Sequence, residues 1–205
     1  TCNKHTPALI GGFAAAGWGS TEVPHLGRCD IPLLSNIPNL VYLAPTSKEE
    51  YFAMLRWGMQ QTDHPVAIRV PGNGVISSNV PVDTDYSDLN RYKTTQQGDT
   101  VAIIAAGSFY ALGESVADLL HKQEGITPTL INPRYLTGID EAMLDGLKKN
   151  HRLVVTLEDG VLDGGFGEKI ARYYGPCNMK VSNYGVRKEF VDRYFAMNFR
   201  DRIVS

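Results

Sequence analysis

The sequence has little of what marks several protein classes. It has three cysteines in 205 residues, with no CxxC pair and no Cys/His metal spacing, so a disulfide scaffold and a zinc module are disfavoured. No apolar run approaches the ~20 residues that a membrane helix needs. Lysine plus arginine number 20 against 22 acidic residues, a net charge of −2, with no block of like charge. We expect a cytoplasmic protein with neither a nucleic-acid nor a membrane partner.

The composition is that of an ordinary folded protein. Apolar residues make up 43% and charged residues 20%, so the chain as a whole is not expected to be disordered. Its length fits one large or two small domains. The sequence begins at Thr1, without a methionine, and reaches the apolar run PALIGGF almost at once. We therefore expect it to be a piece of a longer protein.

Short apolar runs alternate with amphipathic stretches, which predicts an α/β fold of two units with mainly parallel sheets. The first unit is expected to contain strands at 8–13, 40–43 and 66–70, and a helix that Ser47 caps and that runs to Thr62. The second is expected to contain strands at 101–106, 129–131, 153–157 and 179–182, and helices at 110–122, 139–149 and 166–174.

A polar stretch separates the two units. Residues 72–99 are rich in Gly, Ser, Asn, Asp and Thr, so we place the domains at 1–80 and 99–205 with a linker at 81–98. Leu89–Thr94 is predicted as a strand that pairs back through the QQGD turn. In the helix at 110–122, one buried face is expected to contain Leu112, Val116, Leu119 and Leu120.

The segment Ser20–Asp30 has the densest set of reactive side chains, in a loop that follows a predicted strand. In open α/β sheets, ligands bind at the carboxyl ends of strands, where such loops emerge. His25 is the candidate catalytic residue of this loop, because imidazole titrates near neutrality and can move a proton. The alternative is a surface loop whose histidine has no chemical role.

Two further features have a functional and a structural interpretation each. The glycine-rich turn after Glu158 and Asp159 could cradle an anion at a helix start. Its spacing matches neither GxGxxG followed by an acid nor GKS/T, and we favour tight helix packing. Arg69 is the one charged residue in the strand VAIRVP. It could bind a phosphate or carboxylate, and a structural ion pair explains it equally well.

Motifs in colinear order over nearly the whole chain resemble one family. The first set comprises His25, Gly27, Asp30, Ile31, IPN at 37–39, AP at 44–45 and PVAIRVP at 65–71. It is similar to the second half of the pyrimidine-binding domain of thiamine-diphosphate enzymes of the transketolase superfamily. INPRYLTGIDEAML and VVTLEDGVLDGGFGEKI resemble the C-terminal domain of the same enzymes. Within the superfamily, the likeness is strongest to the 1-deoxy-D-xylulose-5-phosphate synthases.

The resemblance implies a transferase that moves a two-carbon unit from a 2-oxo donor, pyruvate or a ketose, to an aldehyde acceptor. It implies thiamine diphosphate and Mg²⁺ as cofactors, bound largely by upstream parts that this sequence does not match. It also implies a homodimer that acts on small-molecule substrates. In such enzymes the histidine that matches His25 faces the reacting carbon, so the resemblance gives His25 the catalytic role. The chain alone is then expected to be inactive.

The sequence departs from the synthases around the acceptor. The resemblance places an arginine, an aspartate and a second arginine where this chain has Ala14, Thr21 and Gly72. Thr21 is kept as a candidate substrate-binding residue, and Arg28 and Arg69 are the candidates to replace the lost arginines. Arginine holds phosphate through charge-assisted hydrogen bonds, so we expect poor use of phosphate-bearing acceptors unless these two substitute.

Two alternatives stay open. The β subunit of a 2-oxoacid dehydrogenase complex shares both domains, although Asp30 and Ile31 followed by IPN fit the synthases better. A non-catalytic paralogue kept for dimerisation or binding is the other alternative. An upstream segment with a Gly-Asp-Gly metal motif, a separate α-subunit gene, or neither would separate the three.

Overall fold

The structure, a computed structural model, describes residues 9–12, 29–70, 76–188 and 203–204. Within these ranges the strands form one sheet of three and one of six. The first sheet is parallel throughout. In the second, the four central strands are parallel and each edge strand is antiparallel. The predicted α/β class, with two units and mainly parallel sheets, is confirmed.

The first sheet is a parallel βαβ arrangement. It contains β1 (Leu9–Gly12), β2 (Val41–Leu43) and β3 (Val66–Arg69), in the order β1-β3-β2. Its helices are α1 (Asp30–Leu34) and α2 (Lys48–Met59). The Ser47 hydroxyl accepts from the Glu50 amide and so caps α2 as predicted, but the helix ends three residues before Thr62. The sequence did not predict α1, because its five residues are too few to show a period.

The second sheet contains the predicted strand–helix alternation. Its strands are β4 (Lys93–Gln96), β5 (Thr100–Ala105), β6 (Thr129–Asn132), β7 (His151–Val161), β8 (Lys180–Val186) and β9 (Ile203–Val204), in the order β4-β6-β5-β7-β8-β9. Its helices are α3 (Tyr110–Glu124), preceded by a 3-10 turn at Gly107–Phe109, α4 (Glu141–Leu147) and α5 (Phe166–Tyr174). β7 and β8 continue beyond their predicted ends at 157 and 182.

The strand in the predicted linker pairs differently from the prediction. It lies at Lys93–Gln96 and pairs antiparallel with β6, so the predicted pairing through the QQGD turn is wrong. The edges of β5 are not open to β4, because β6 and β7 already pair with β5. Gly98 lies so close to the chain before β6 that a Cβ on it would fall 2.0 Å from the Thr127 carbonyl oxygen. The boundaries at 80 and 99 stay a prediction, although β4 belongs to the second sheet.

Helix α3 lies on the second sheet with a different face from the one predicted. Leu112, Val116 and Leu120 pack against the apolar cluster on this face of the sheet, but Leu119 is 52% exposed, and its prediction is wrong. The close approach at Gly113 is the reason, because a Cβ there would lie 2.8 Å from the Ala105 Cβ. The buried stripe is therefore centred on small residues and turns Leu119 toward solvent.

The two units share one apolar layer. Side chains alternate between the two faces of each strand, and Tyr42 and Ala67 of the first sheet lie in the same apolar cluster as Ile104 and Ile131 of the second. Backbone bonds reinforce the contact, since the Leu136 amide donates to the Tyr42 carbonyl at 2.8 Å. The carboxyl end of the first sheet is thereby held against the second unit. No helix among the described residues is long and apolar enough to cross a membrane.

Candidate functional site

The structure describes one of the four predicted site residues. Thr21, His25 and Arg28 lie outside the described residues, and their roles stay predictions. Arg69 is described: it is the last residue of β3 and is 4% exposed. Its guanidinium is therefore buried at the carboxyl end of the first sheet.

Arg69 bridges two carboxylates from different parts of the fold. Its Nε donates to Asp30 Oδ2 at 2.7 Å and its Nη2 to Asp30 Oδ1 at 3.3 Å, while Nη1 donates to Asp159 Oδ1. Asp30 begins α1, and Asp159 lies in β7. These three residues, called the ion-pair cluster below, join the two units. The contacts support the structural alternative for Arg69, and its role in substrate binding stays a prediction.

Two neutral hydroxyls donate hydrogen bonds to the carboxylates of the ion-pair cluster. Tyr42 Oη donates to Asp30 Oδ2 at 2.5 Å, and Ser108 Oγ donates to Asp159 Oδ2 at 2.6 Å. Burial, and next to it the charge of Asp30, hold the pKa of Tyr42 well above its usual value, so the phenol keeps its proton and donates. Each carboxylate thus accepts from both a cation and a hydroxyl, which is what stabilises a buried charge.

The electrostatics of the ion-pair cluster favour a permanently charged arginine. Burial disfavours the guanidinium charge, but Asp159 and Asp30 outweigh it, so the pKa of Arg69 lies above its usual value. Burial raises the pKa of Asp159, while Arg69 and the Ser108 hydroxyl oppose that rise. The guanidinium can hold geometry here but cannot act as a proton donor, since arginine does not deprotonate in proteins.

Glu158 occupies the glycine-rich turn that could cradle an anion. Its carboxyl oxygens accept from the amides of Phe166 at 2.9 Å and Gly167 at 2.7 Å, so Glu158 already occupies the positive end of α5. Burial raises the pKa of Glu158 to about 7, with the two amides opposing. Glycine is required at 165, because a Cβ there would lie 2.6 Å from Glu158 Oε2. A Cβ on Gly167 would lie 2.5 Å from Thr156 Oγ1 of β7, which supports the favoured interpretation, helix packing.

The described residues do not fit the implied cofactor's charged end. Within them, no group of three or more His, Cys, Asp or Glu side chains could hold a metal ion. Asp30 and Asp159 are committed to Arg69, and Glu158 fills the helix start that could have taken a phosphate. Within the described part of the chain, Glu158 therefore occupies the start of α5, and no cluster of three or more metal-ligating side chains is present for Mg²⁺.

Sequence reasoning missed the ion-pair cluster as a unit. Half of the signal was present, because a lone arginine in an apolar strand requires a buried counter-charge. Asp30 and Asp159 each belong to a motif that stands out for another reason. Their pairing could not be read from the sequence, since Asp159 is 90 residues from Arg69.

Comparison with known proteins finds one family model and several relatives that match this chain. A family model described as the transketolase C-terminal domain matches residues 90–191. A 1-deoxy-D-xylulose-5-phosphate synthase of Pseudoalteromonas translucida (strain TAC 125) is 30% identical over 190 residues, 92% of this chain and 30% of that protein. The synthase of Shouchella clausii (strain KSM-K16) is 32% identical over 196 residues, 93% of this chain and 31% of that protein. The chain spans about three tenths of the length of these curated relatives.

A solved structure has the same fold. It is described as a split gene transketolase, inactive beta4 tetramer, and matches with a TM-score of 0.67 at 24% identity over 91% of this chain and 58% of that chain. The motif resemblance, the family model and the relatives agree. The chain therefore belongs to the transketolase superfamily, and residues 90–191 form its transketolase C-terminal domain.

Proposed function

We propose that this chain is the C-terminal part of a thiamine-diphosphate-dependent transferase similar to 1-deoxy-D-xylulose-5-phosphate synthase. The enzyme moves a two-carbon unit from a 2-oxo donor, pyruvate or a ketose, to an aldehyde acceptor. One observation carries the proposal: synthases align at 30–32% identity over 92–93% of the chain. At this coverage the alignment extends beyond residues 90–191 into the first unit, which is the unit that is proposed to act on substrate.

His25 is the proton-transferring residue in this proposal. β1 and β3 are neighbouring parallel strands, so Gly12 and Arg69, the last residues of the two strands, lie at the same edge of the sheet. In open α/β sheets that edge is where ligands bind. The topology supports a common site for Thr21, His25 and Arg28, with Thr21 and Arg28 as substrate-binding residues.

Cofactors and partners follow from the same proposal. When bound, thiamine diphosphate supplies the electron sink for breaking and forming the carbon–carbon bond. Parts of the whole protein other than the described residues bind Mg²⁺ and the diphosphate, so this chain alone is inactive. The whole protein works in the cytoplasm as a homodimer on small-molecule substrates.

The acceptor is proposed to differ from that of the synthases. Ala14, Thr21 and Gly72 replace charged residues of the resemblance, and the guanidinium of Arg69 is engaged by two carboxylates. Arg28 and Arg69 stay the candidates for a compensating cation. Loss of two charge-assisted bonds, each contributing roughly 1.5–3 kcal/mol, would weaken phosphate-bearing acceptors on the order of 10²–10⁴-fold.

The test measures two-carbon transfer by the whole protein that contains this chain. With thiamine diphosphate, Mg²⁺ and pyruvate, we expect product with glyceraldehyde and a kcat/KM below ~10⁴ M⁻¹s⁻¹ with glyceraldehyde 3-phosphate. Ordinary enzyme rates with the phosphate would contradict the proposed acceptor preference. Absence of transfer from any 2-oxo donor would contradict the function and leave the non-catalytic alternative.

A substitution of His25 tests its proposed catalytic role separately. His25→Ala should lower kcat by ~10²–10⁴-fold and leave the melting temperature almost unchanged. The matched control is His121→Ala, since His121 is exposed on α3, and it should turn over normally. A large loss of stability with normal turnover in His25→Ala would contradict the catalytic role.

A further inference from the structure

A cavity of about 440 Å³ lies where the first unit, the predicted linker and the second unit meet. Its volume is within the range of roughly 300–1,000 Å³ that is typical of small-molecule sites. The first unit contributes residues 35–41, which follow α1 and include the IPN motif, and His64, which precedes β3. Asn90 of the predicted linker and residues 137–138 of the second unit form the rest of the wall that the argument uses.

This cavity lies at the amino end of the first sheet. Val41 is the first residue of β2, and His64 comes two residues before β3. The two strands are parallel, so both begin at the same edge. Arg69, at the carboxyl end of β3, lies at the opposite edge.

Three buried polar atoms of the cavity wall have no hydrogen-bond partner. They are Ser35 Oγ, His64 Nδ1 and Asn90 Oδ1, and Ser35 as a whole is only 6% exposed. Within the described ranges one further buried side-chain atom lacks a partner, Tyr86 Oη. Because buried polar groups are normally paired, three such atoms around one cavity indicate a partner from outside the chain.

The same three side chains are suited to a ligand that carries hydroxyl groups. Serine turns about one side-chain bond, and histidine and asparagine turn about two, so each can present a polar atom to the cavity. A hydroxyl, a neutral imidazole and an amide each have both a donor and an acceptor. A ligand hydroxyl also donates and accepts, so it can pair with any of them.

The wall of the cavity is held in place from behind. Lys169 Nζ of α5 donates to the carbonyls of Ser35 at 3.4 Å, Thr137 at 3.1 Å and Leu136 at 2.8 Å. Asn36 Nδ2 donates to the Pro32 carbonyl at 2.7 Å. The three donors of the ammonium group are thereby used, so Lys169 fixes the wall without serving as a ligand group. A pre-formed wall is typical of small-molecule sites.

The lining favours a neutral ligand that is not aromatic. Among the residues described around the cavity, none is Lys, Arg, Asp or Glu, so a charged ligand would be taken from water without a counter-charge. The phenol ring of Tyr135 is fully buried and leaves no face for an aromatic ligand to stack on. Ile37 and Leu89 are partly buried lining residues, and their apolar surface can contact C–H groups.

We propose that this cavity binds a neutral polyhydroxylated molecule, a sugar or a sugar alcohol, whose hydroxyls pair with Ser35, His64 and Asn90. A bound molecule contacts both units and the linker between them. The proposal goes beyond the proposed function and does not depend on it.

The first experiment compares two six-carbon probes on the whole protein that contains this chain, at pH 8. Calorimetric titration with sorbitol should show saturable binding with a Kd of about 1 mM or tighter. Gluconate has a carboxylate in place of one terminal alcohol, and it should bind at least about 10-fold more weakly because the wall offers no cation. Calorimetry is preferred to a shift in melting temperature, since polyols stabilise folded proteins in general.

The second experiment tests whether sorbitol binds in this cavity. Ser35→Ala and His64→Leu should each weaken sorbitol binding about 3- to 10-fold, the effect of one lost hydrogen bond. The matched control is Ser115→Ala, an exposed serine of α3 whose hydroxyl donates to the Ala111 carbonyl, and it should bind sorbitol as wild type does. Without sorbitol, Ser35→Ala should melt no lower than wild type, because the change removes a buried hydroxyl that has no partner.

Four results would overturn the proposal. Absence of saturable sorbitol binding would mean that water alone pairs with the three atoms. Unchanged sorbitol affinity in both Ser35→Ala and His64→Leu would place the polyol elsewhere. Displacement of sorbitol by saturating pyruvate would place it at the reaction site, and a gluconate affinity equal to or above that of sorbitol would contradict a neutral ligand.

Discussion

The two sheets differ in what supports them. Among the described residues, the second sheet has α3 on one face and α4 and α5 on the other, so its own chain covers both. The first sheet has α2 on one face, while its other face lies on the second unit. The C-terminal domain therefore supports itself, and it also supports the described part of the first unit.

The sheets also differ in where charge is buried. At the carboxyl end of the first sheet, the buried Arg69 holds the buried Asp159 and the partly exposed Asp30. The centre of the second sheet is apolar, with Ile103 and Ile104 fully buried. The comparison teaches that the junction combines an apolar layer with directional polar bonds, whereas the centre of the second sheet depends on packing.

The largest expected effect comes from breaking the junction. Arg69→Met leaves the buried Asp159 and the partly exposed Asp30 without their cation, and breaking a buried ion pair in this way typically costs about 3–5 kcal/mol. The control Arg91→Met removes an arginine whose side chain is 49% exposed, where an ion pair contributes at most about 1 kcal/mol. Urea unfolding of both variants measures the difference. Equal losses below about 1 kcal/mol would mean that the junction does not depend on this cation.

Two matched isoleucines test which unit supports the other. Ile68 packs with α2, whereas Ile104 lies in the apolar layer that the two units share. Both side chains are essentially buried. Each change to alanine should cost about 2–5 kcal/mol. Hydrogen exchange should show faster opening only of β2 and β3 in Ile68→Ala, and of both sheets in Ile104→Ala. Faster exchange of the second sheet in Ile68→Ala would reverse the proposed dependence.

The buried carboxylate of Glu158 predicts a pH dependence of the second unit. Its pKa is about 7 in the folded chain against 4.5 as the reference, so the folded state binds the proton more tightly. The stability from this group is complete below pH 4.5 and is lost as the pH rises through 7. The shift corresponds to on the order of 3 kcal/mol.

The measurement compares wild type with Glu158→Gln. Relative to Glu158→Gln, wild type should lose free energy of unfolding as the pH rises from about 5 to about 8, because glutamine does not titrate. Parallel curves for the two proteins across this range would show that Glu158 does not titrate there.

The smallest expected changes in stability concern two glycines in helices of the second unit. An alanine Cβ at Gly113 of α3 would lie 2.8 Å from the Ala105 Cβ, whereas one at Gly146 of α4 meets no atom within 4 Å. Gly146→Ala should therefore raise stability by about 0.5–1 kcal/mol through helix propensity. Gly113→Ala should lower it by about 1–3 kcal/mol through overpacking. Thermal unfolding of both variants is the measurement, and a gain in Gly113→Ala would refute the close contact of helix and sheet.

The sequence by itself determined most elements and the family. The apolar runs of β5, β6 and β7 and the amphipathic stretches between them have periods that report local structure directly. The Ser47 cap was also predictable, because a capping box lies within four residues. The order of short motifs along the chain was enough to indicate the transketolase superfamily, since motif order is a property of the sequence alone.

Only the tertiary structure decided which elements and charges meet. The partner of β4 depended on the free edge of β6, and the exposure of Leu119 depended on how closely α3 approaches at Gly113. The ion pairing of Arg69 depended on Asp159, 90 residues away. The position of α1 depended on a segment more than a hundred residues further along the chain. Periodicity and capping are local, whereas a buried charge or a short helix takes its place from whatever the folded chain brings to it.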